Sequence, residues 1–124
     1  MKQGLLLFAH GARDPRWAQP FEAVAERVRA RAPQIPVALC FLEFMAPDLL
    51  EGGRLLAEAG CGRVDLVPLF LGAGGHVRKD VPELLGRVQA AHPAIRWDLR
   101  PAIGEVDIDI DAMASASLAW LRQG

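Results

Sequence analysis

The chain has 124 residues, 52% of them apolar and 23% charged. That is enough for one self-sufficient core and excludes intrinsic disorder, which needs low hydrophobicity and high net charge. Fourteen basic residues against fifteen acidic leave a formal charge of −1, which argues against a nucleic-acid binder with a broad basic face and leaves room for a local basic cluster aimed at a small anion. The first apolar run, Leu5 to Ala9, is too short for a signal-peptide core, and no stretch approaches the ~18–20 apolar residues of a membrane span. Cys40 and Cys61 lie in or beside apolar runs and form no C-x-x-C pair, the pattern of buried free thiols in a reducing compartment. The expectation is a single domain over residues 1–124, soluble and cytoplasmic, with neither nucleic acid nor membrane as partner.

Short apolar runs alternate with longer amphipathic stretches, as in β-α units built on a parallel sheet. Gly4 to Ala9 is continuously apolar, like a strand covered on both faces. Asp14-Pro15 supplies an N-cap followed by Pro at the first helical position, and Phe21, Val24, Ala25 and Val28 then recur at helical spacing up to Ala32. Pro33 stops that helix, and Pro36 to Leu42 reads as a second strand. Asp48 and Glu51 fit a capping box opening a second helix, with Leu49, Leu50, Leu55 and Leu56 as its buried side and Gly60 as its end. Val64 to Leu71 reads as a third strand, in which Pro68 is unusual for a central position. After the glycine-rich loop Gly72 to Gly75, Asp80 and Glu83 repeat the capping-box spacing and open a third helix, Val81 to Ala91. Ile95 to Leu99 reads as a fourth strand, and Asp111 to Arg122 as a last helix preceded by an acidic loop from Glu105 to Asp111.

Three residues stand out by position. His10 directly follows the first strand, Glu43 follows the second, and His76 follows the third strand and its loop, at intervals of 33 residues each. Loops after the carboxyl ends of parallel strands share one edge of the sheet, where ligands bind. Two imidazoles and a carboxylate on one rim suit a first-row divalent metal, or proton transfer near neutral pH. Arg13, Arg16, Arg78 and Lys79 lie beside the histidines and suit substrate carboxylates, whereas Asp14, Asp48 and Asp80 read as helix caps. His10-Gly11-Ala12-Arg13-Asp14 and His76-Val77-Arg78-Lys79-Asp80 echo one another, each placed ahead of a helix. The glycine run matches neither G-x-G-x-x-G nor a P-loop ending, so nucleotide binding is not expected.

The segments Leu7-Phe8-Ala9-His10-Gly11-Ala12-Arg13-Asp14, Phe41-Leu42-Glu43-Phe44-Met45-Ala46-Pro47 and Val67-Pro68-Leu69-Phe70-Leu71-Gly72-Ala73-Gly74-Gly75-His76-Val77-Arg78-Lys79-Asp80-Val81-Pro82 resemble those of the small single-domain sirohydrochlorin chelatases of the cobalt-inserting type. The resemblance implies the class II chelatase fold, an α/β three-layer sandwich on a four-stranded, mostly parallel sheet, like half of a flavodoxin-like unit. It implies that His10 and His76 bind the metal, that His10 also accepts a proton, and that Glu43 is an active-site carboxylate serving either metal or substrate. Leu71, Gly72, Ala73, Gly74 and Gly75 would line the tetrapyrrole pocket, and Arg13 and Arg78 would meet carboxylates of the substrate. A divalent metal, Co2+ first with Fe2+ or Ni2+ open, would be a substrate, with no ATP and no organic cofactor, in cobalamin or sirohaem biosynthesis. Relatives with two facing domains imply that a single copy pairs as a homodimer. A phosphohistidine enzyme is disfavoured because Ala9 stands where the Arg of an Arg-His-Gly motif is required. A non-enzymatic metal carrier or sensor using the same histidines is the remaining rival.

Overall fold

The computed structural model describes every residue except Ala73 and Gly124, with the side chains of His76, Arg122 and Gln123 also outside what is described. Four parallel strands, β1 (Gln3–Ala9), β2 (Val37–Phe41), β3 (Arg63–Pro68) and β4 (Arg96–Leu99), form one sheet in the order β2-β1-β3-β4. Helices α1 (Gln19–Arg31), α2 (Leu49–Glu58), α3 (Gly75–Ala91) and α4 (Asp107–Gln123) follow successive strands, with 3-10 turns at Pro15–Ala18 and Ile103–Glu105. This is the α/β architecture expected, here with every strand pair parallel. Among the described residues no helix is long and apolar enough to cross a membrane.

The main core lies between one face of the sheet and helices α2 and α3. Leu6, Phe8, Cys40, Val64 and Leu66 point into it fully buried, meeting Leu49, Leu56, Val81, Leu85 and Val88. The second helix buries less of its expected side than its leucines promised. Leu49 and Leu56 are enclosed, whereas Leu50 and Leu55 are each 40% exposed. Gly52 and Gly53 take the contact instead, since a Cβ there would stand 2.8 Å from Leu6 Cδ1 and 2.8 Å from Val88 Cγ1 respectively. The absence of a side chain lets α2 approach both sheet and α3 closely, offsetting the helix cost of glycine. Asp48 caps α2 by accepting from the Glu51 N–H at 2.9 Å, but the Glu51 side chain turns to Arg54, so only half of the box forms.

Three expectations need correction. Helix α3 starts at Gly75, not after Asp80, so His76 to Asp80 form its opening turns and the echoed motif precedes a helix only at its first occurrence. Val77, Val81, Leu85 and Val88 form one buried stripe at helical spacing, and it carries the helix through Pro82, whose exposed ring faces away from the core. Strand β3 ends at Pro68, leaving Leu69 to Leu71 outside the ladder. Pairing of Leu66 with Leu99 and alternation along the strand put the missing Pro68 donor on the β4 side, past the last β4 pair, where it costs nothing. Helix α4 begins at Asp107, so the acidic alternation is its first turn and not a loop; Asp107 and Asp109 lie where the helix dipole favours negative charge.

Burial pushes the Cys40 thiol well up from its ordinary value, with the Asp48 carboxylate adding to the effect. The folded chain therefore keeps the neutral thiol while the unfolded chain ionises above about pH 8.5, so this contribution is whole at neutral pH and lost as pH rises. Native protein at pH 8 should leave Cys40 untouched by Ellman's reagent until denatured. Urea midpoints should fall between pH 8 and pH 10, with a shallower fall in Cys40→Ala.

Candidate active site at the carboxyl edge of the sheet

All four strands point the same way, so the residues leaving β1, β2 and β3 emerge on one edge. Strand β1 is central, and its extension runs between those of β2 and β3. The Glu43 N–H donates to the His10 carbonyl at 3.1 Å and the Leu42 N–H to that of Ala9 at 2.9 Å, which locks the two loops side by side. On the other flank the His10 imidazole packs on Phe70, with ring centroids 4.6 Å apart and planes inclined by 45°. Phe70 is itself fixed, 5% exposed, against Phe8 and by the Gly104 N–H on its carbonyl at 2.9 Å. His10 is thus half-buried, with its ring held by packing between a carboxylate-bearing loop and an apolar wall.

Gly11 makes this proximity possible. Its φ of +89° is a conformation that side chains disfavour, and a Cβ there would lie 1.9 Å from the Glu43 carbonyl oxygen. The Glu43 side chain is exposed at the rim, and the next residue, Phe44, adopts φ +66° and stands 58% exposed. The Arg13 guanidinium lies over the Phe44 ring, 5.0 Å from its centroid, joining the β1 and β2 loops a second time.

On the β3 side, Leu71 is 74% exposed, and Gly72, Gly74 and Gly75 are exposed as well. Gly74 is the N-cap residue of α3, which places Gly75 and His76 in the first turn of that helix, at the same edge as His10 and Glu43. The expected approach of His10 to His76 falls on a side chain outside the described residues, as does the expected pocket residue Ala73. Among the described residues, no three His, Cys, Asp or Glu side chains gather closely enough to hold a metal. The expected basic rim divides. Arg13 and Lys79 are exposed, Arg78 is exposed and faces Glu105 at 3.8 Å, and Arg16 is drawn away into a fork with Asp14 at 2.9 Å. That fork holds the Asp14 carboxyl below its ordinary range, while Asp14 also accepts from the Arg16 N–H as the cap of the 3-10 turn. Asp80 is not a cap, because it lies inside α3.

Phe44 and Phe70 are parts of the rim to which the motif reading assigned no role. The signal for Phe70 was its position in the short run between Pro68 and the glycines. For Phe44 nothing in residue type announces a left-handed backbone. Between the end of β3, the first turns of α3 and β4 lies an apolar slot of about 150 Å3, reached by Phe70, Val77 and Arg78.

An open rim at the strand carboxyl ends, bearing a packed imidazole, a carboxylate and a glycine loop leading into a helix, defines an α/β ligand-handling class. The chain belongs to the CbiX family, whose model matches residues 4–116. It is 34% identical over 82 residues to the sirohydrochlorin cobaltochelatase of Methanopyrus kandleri, a match covering 66% of this chain and 57% of that protein. It is 31% identical over 105 residues to the sirohydrochlorin ferrochelatase of Bacillus subtilis, covering 84% of this chain and 40% of that protein. The chain therefore spans about half the length of these curated relatives. The solved structure of a CbiX protein from Marinobacter aquaeolei VT8 superposes with a TM-score of 0.87 at 30% identity, over 98% of this chain and 99% of that one.

Proposed function

We propose that this chain, acting as one chelatase domain over residues 1–124 in the cytoplasm, inserts a divalent metal into sirohydrochlorin without ATP, with Co2+ as the preferred metal. The observation that supports this most is the convergence of the His10, Glu43 and α3 N-terminal backbones on one edge of a parallel sheet. Insertion exchanges two pyrrole protons for one divalent cation at the centre of the macrocycle. A neutral imidazole nitrogen either accepts a proton or binds a metal, not both at once. Two histidines and a glutamate divide those tasks: His10 and His76 bind the incoming metal, His10 takes the two pyrrole protons in turn once the metal has left it and passes each to solvent at the open rim, and Glu43 holds metal or substrate. An incomplete ligand set favours this, since a closed tetrahedral site retains its metal.

Packing against Phe70 holds the His10 ring so that little reorientation is needed at the moment of transfer. Leu71 and Gly72 to Gly75 form the floor on which the macrocycle lies, and Arg13 and Arg78 meet its peripheral carboxylates. The slot beside Phe70 is below the 300–1,000 Å3 of enclosed small-molecule sites, so the macrocycle uses the open rim. A second copy facing that rim closes the cleft, which makes the working unit a homodimer.

Mixing protein, sirohydrochlorin and Co2+ and following the absorption change tests the reaction. Accelerated conversion, faster with Co2+ than with Ni2+ or anaerobic Fe2+, is the expected result. If Fe2+ wins, the product is assigned to sirohaem rather than cobalamin. No acceleration with any metal, together with stoichiometric metal binding, overturns the enzymatic reading in favour of a carrier.

A further inference from the structure

Apolar side chains that stand in water together at one site call for a reason. Setting aside the terminal Met1 and helix α4, Phe44 and Leu71 are the only large apolar side chains among the described residues that are more than half exposed, at 58% and 74%. Both leave the carboxyl edge of the sheet. Phe44 lies on the loop after β2 and Leu71 on the loop after β3, and the strand order β2-β1-β3 places His10 between those two loops. Apolar surface therefore flanks the imidazole on both sides.

The backbone under Phe44 sharpens the point. At φ +66° glycine or asparagine is the ordinary choice, and a bulky residue is an outlier. The anchors on either side impose this turn: the Glu43 N–H is tied to the His10 carbonyl at 3.1 Å, and Met45 packs against Ala9, Ala18 and Phe41. They account for the left-handed backbone but not for the phenylalanine. Its ring adds nothing to the core, since it stands at the rim with the Arg13 guanidinium 5.0 Å from its centroid. Strain that the surroundings hold in place in this way gathers at functional sites. Leu71 is braced as well. The Gly104 N–H donates to the Phe70 carbonyl at 2.9 Å, and Gly104 comes so near that a Cβ on it would stand 2.0 Å from the Leu71 carbonyl oxygen. Both exposed side chains thus sit on fixed backbone.

We infer that Phe44 is a substrate-binding residue that stacks on the conjugated plane of the macrocycle, with Leu71 as the second apolar contact on the far side of His10. The inference rests on the chelatase reading and adds the residue that recognises the ring system rather than its carboxylates. A tetrapyrrole offers two kinds of surface, a wide flat π-face and a rim of carboxylates. Arg13 and Arg78 suit the rim alone. An aromatic side chain suits the face, in offset or edge-on packing. The Arg13–Phe44 contact joins the two, because the ring holds the guanidinium beside the surface that it recognises, and one loop then presents both contacts. Supports on opposite sides of His10 set the macrocycle across the imidazole, where protons and metal have to be exchanged.

Titrating metal-free sirohydrochlorin into the full chain tests this, and wild type is expected to shift the absorption band of the macrocycle on binding. Phe44→Asn removes the ring and suits the left-handed backbone, so its thermal midpoint should lie at or above that of wild type. It should bind about 3- to 10-fold more weakly, the size of one aromatic pair, and lose most of the band shift. In turnover with Co2+ the loss should fall on KM rather than on kcat. Raising the salt from about 50 to about 500 mM should leave most of that loss in place, because stacking is not screened as charge pairing is. Phe44→Tyr keeps the π-face and should keep wild-type affinity and band shift. Three outcomes overturn the inference: Phe44→Asn binding and shifting the band as wild type does, a loss that vanishes at high salt, or Phe44→Tyr as weak as Phe44→Asn. Where Phe44→Asn folds poorly, Phe44→Leu, apolar but without a π-face, carries the same comparison. In each of these cases wild type still inserts metal and the chelatase reading stands. A wild-type chain that neither binds nor metallates sirohydrochlorin removes that reading, and the inference with it.

Discussion

Replacing His10 by alanine is expected to slow cobalt insertion by 10²- to 10⁴-fold, the range over which a positioned acid–base group acts. The loss should appear in kcat more than in KM, because the proposed reading rests the macrocycle on the glycine loop and the basic rim rather than on the imidazole. Folding should survive. His10 leaves the end of β1 on a loop, and what it gives up is one ring contact with Phe70, a pair worth about 1 kcal/mol. Circular dichroism and a thermal midpoint near wild type, alongside lost turnover, are the expected readings. A variant that unfolds would make His10 structural, and one that still turns over at full rate would remove it from the chemistry. His76→Ala should behave in the same way, with the fold kept and insertion lost.

Gly11→Ala should have the largest effect on stability of any single methyl group at the rim. Moving a non-glycine residue into the left-handed region costs roughly 1–2 kcal/mol, and here the new Cβ would also stand 1.9 Å from the Glu43 carbonyl. The neighbour is backbone and cannot rotate away, so the β2 loop has to shift. The expected total is about 3 kcal/mol, read as a drop in thermal midpoint of about 10 °C. Insertion should fall with it even below the melting range, because the 3.1 Å hydrogen bond that ties the Glu43 loop to His10 is lost. A midpoint within a degree or two of wild type would show that the two loops are not clamped together.

Sequence pattern and structure agree best where one physical signal acts alone. Unbroken apolar runs of the kind a doubly covered strand requires put β1 and β2 within a residue of their ends, and the mixed run Ile95 to Leu99 does the same for β4. Asp14 and Asp48 cap where their spacing to the next backbone donors predicts. Disagreement arises where signals compete. Gly74 and Gly75 read as loop and Asp80 as the cap, yet the stripe from Val77 to Val88 gains more by packing than glycines and a proline in the helix cost, and α3 starts six residues early. From Glu105 to Asp111 a two-residue alternation mimics a strand, while the same carboxylates near a helix N-terminus favour α4. In α2 the leucines announced the buried side, but close approach at Gly52 and Gly53 carried the contact.

The candidate site follows the same division. His10, Glu43 and the α3 start were legible because strand ends in a parallel sheet share an edge whatever the side chains are. The wall at Phe70 and the Arg13–Phe44 stack were not, because they depend on a left-handed backbone at Phe44 and on how a loop folds over the edge. Arg16 was expected at the rim, and a carboxylate only two residues away captured it. Local pairing of this kind is available in the unfolded chain too, and it outcompetes a more distant ligand.

A single metal passing between His10, Glu43 and His76 is the central claim. Crystals soaked in Co2+ and measured at the cobalt absorption edge test it most directly. The account predicts an anomalous peak within bonding distance of the His10 and His76 imidazoles, on the carboxyl edge of the sheet. Cobalt bound only elsewhere, with the two imidazoles turned away from each other, would contradict it.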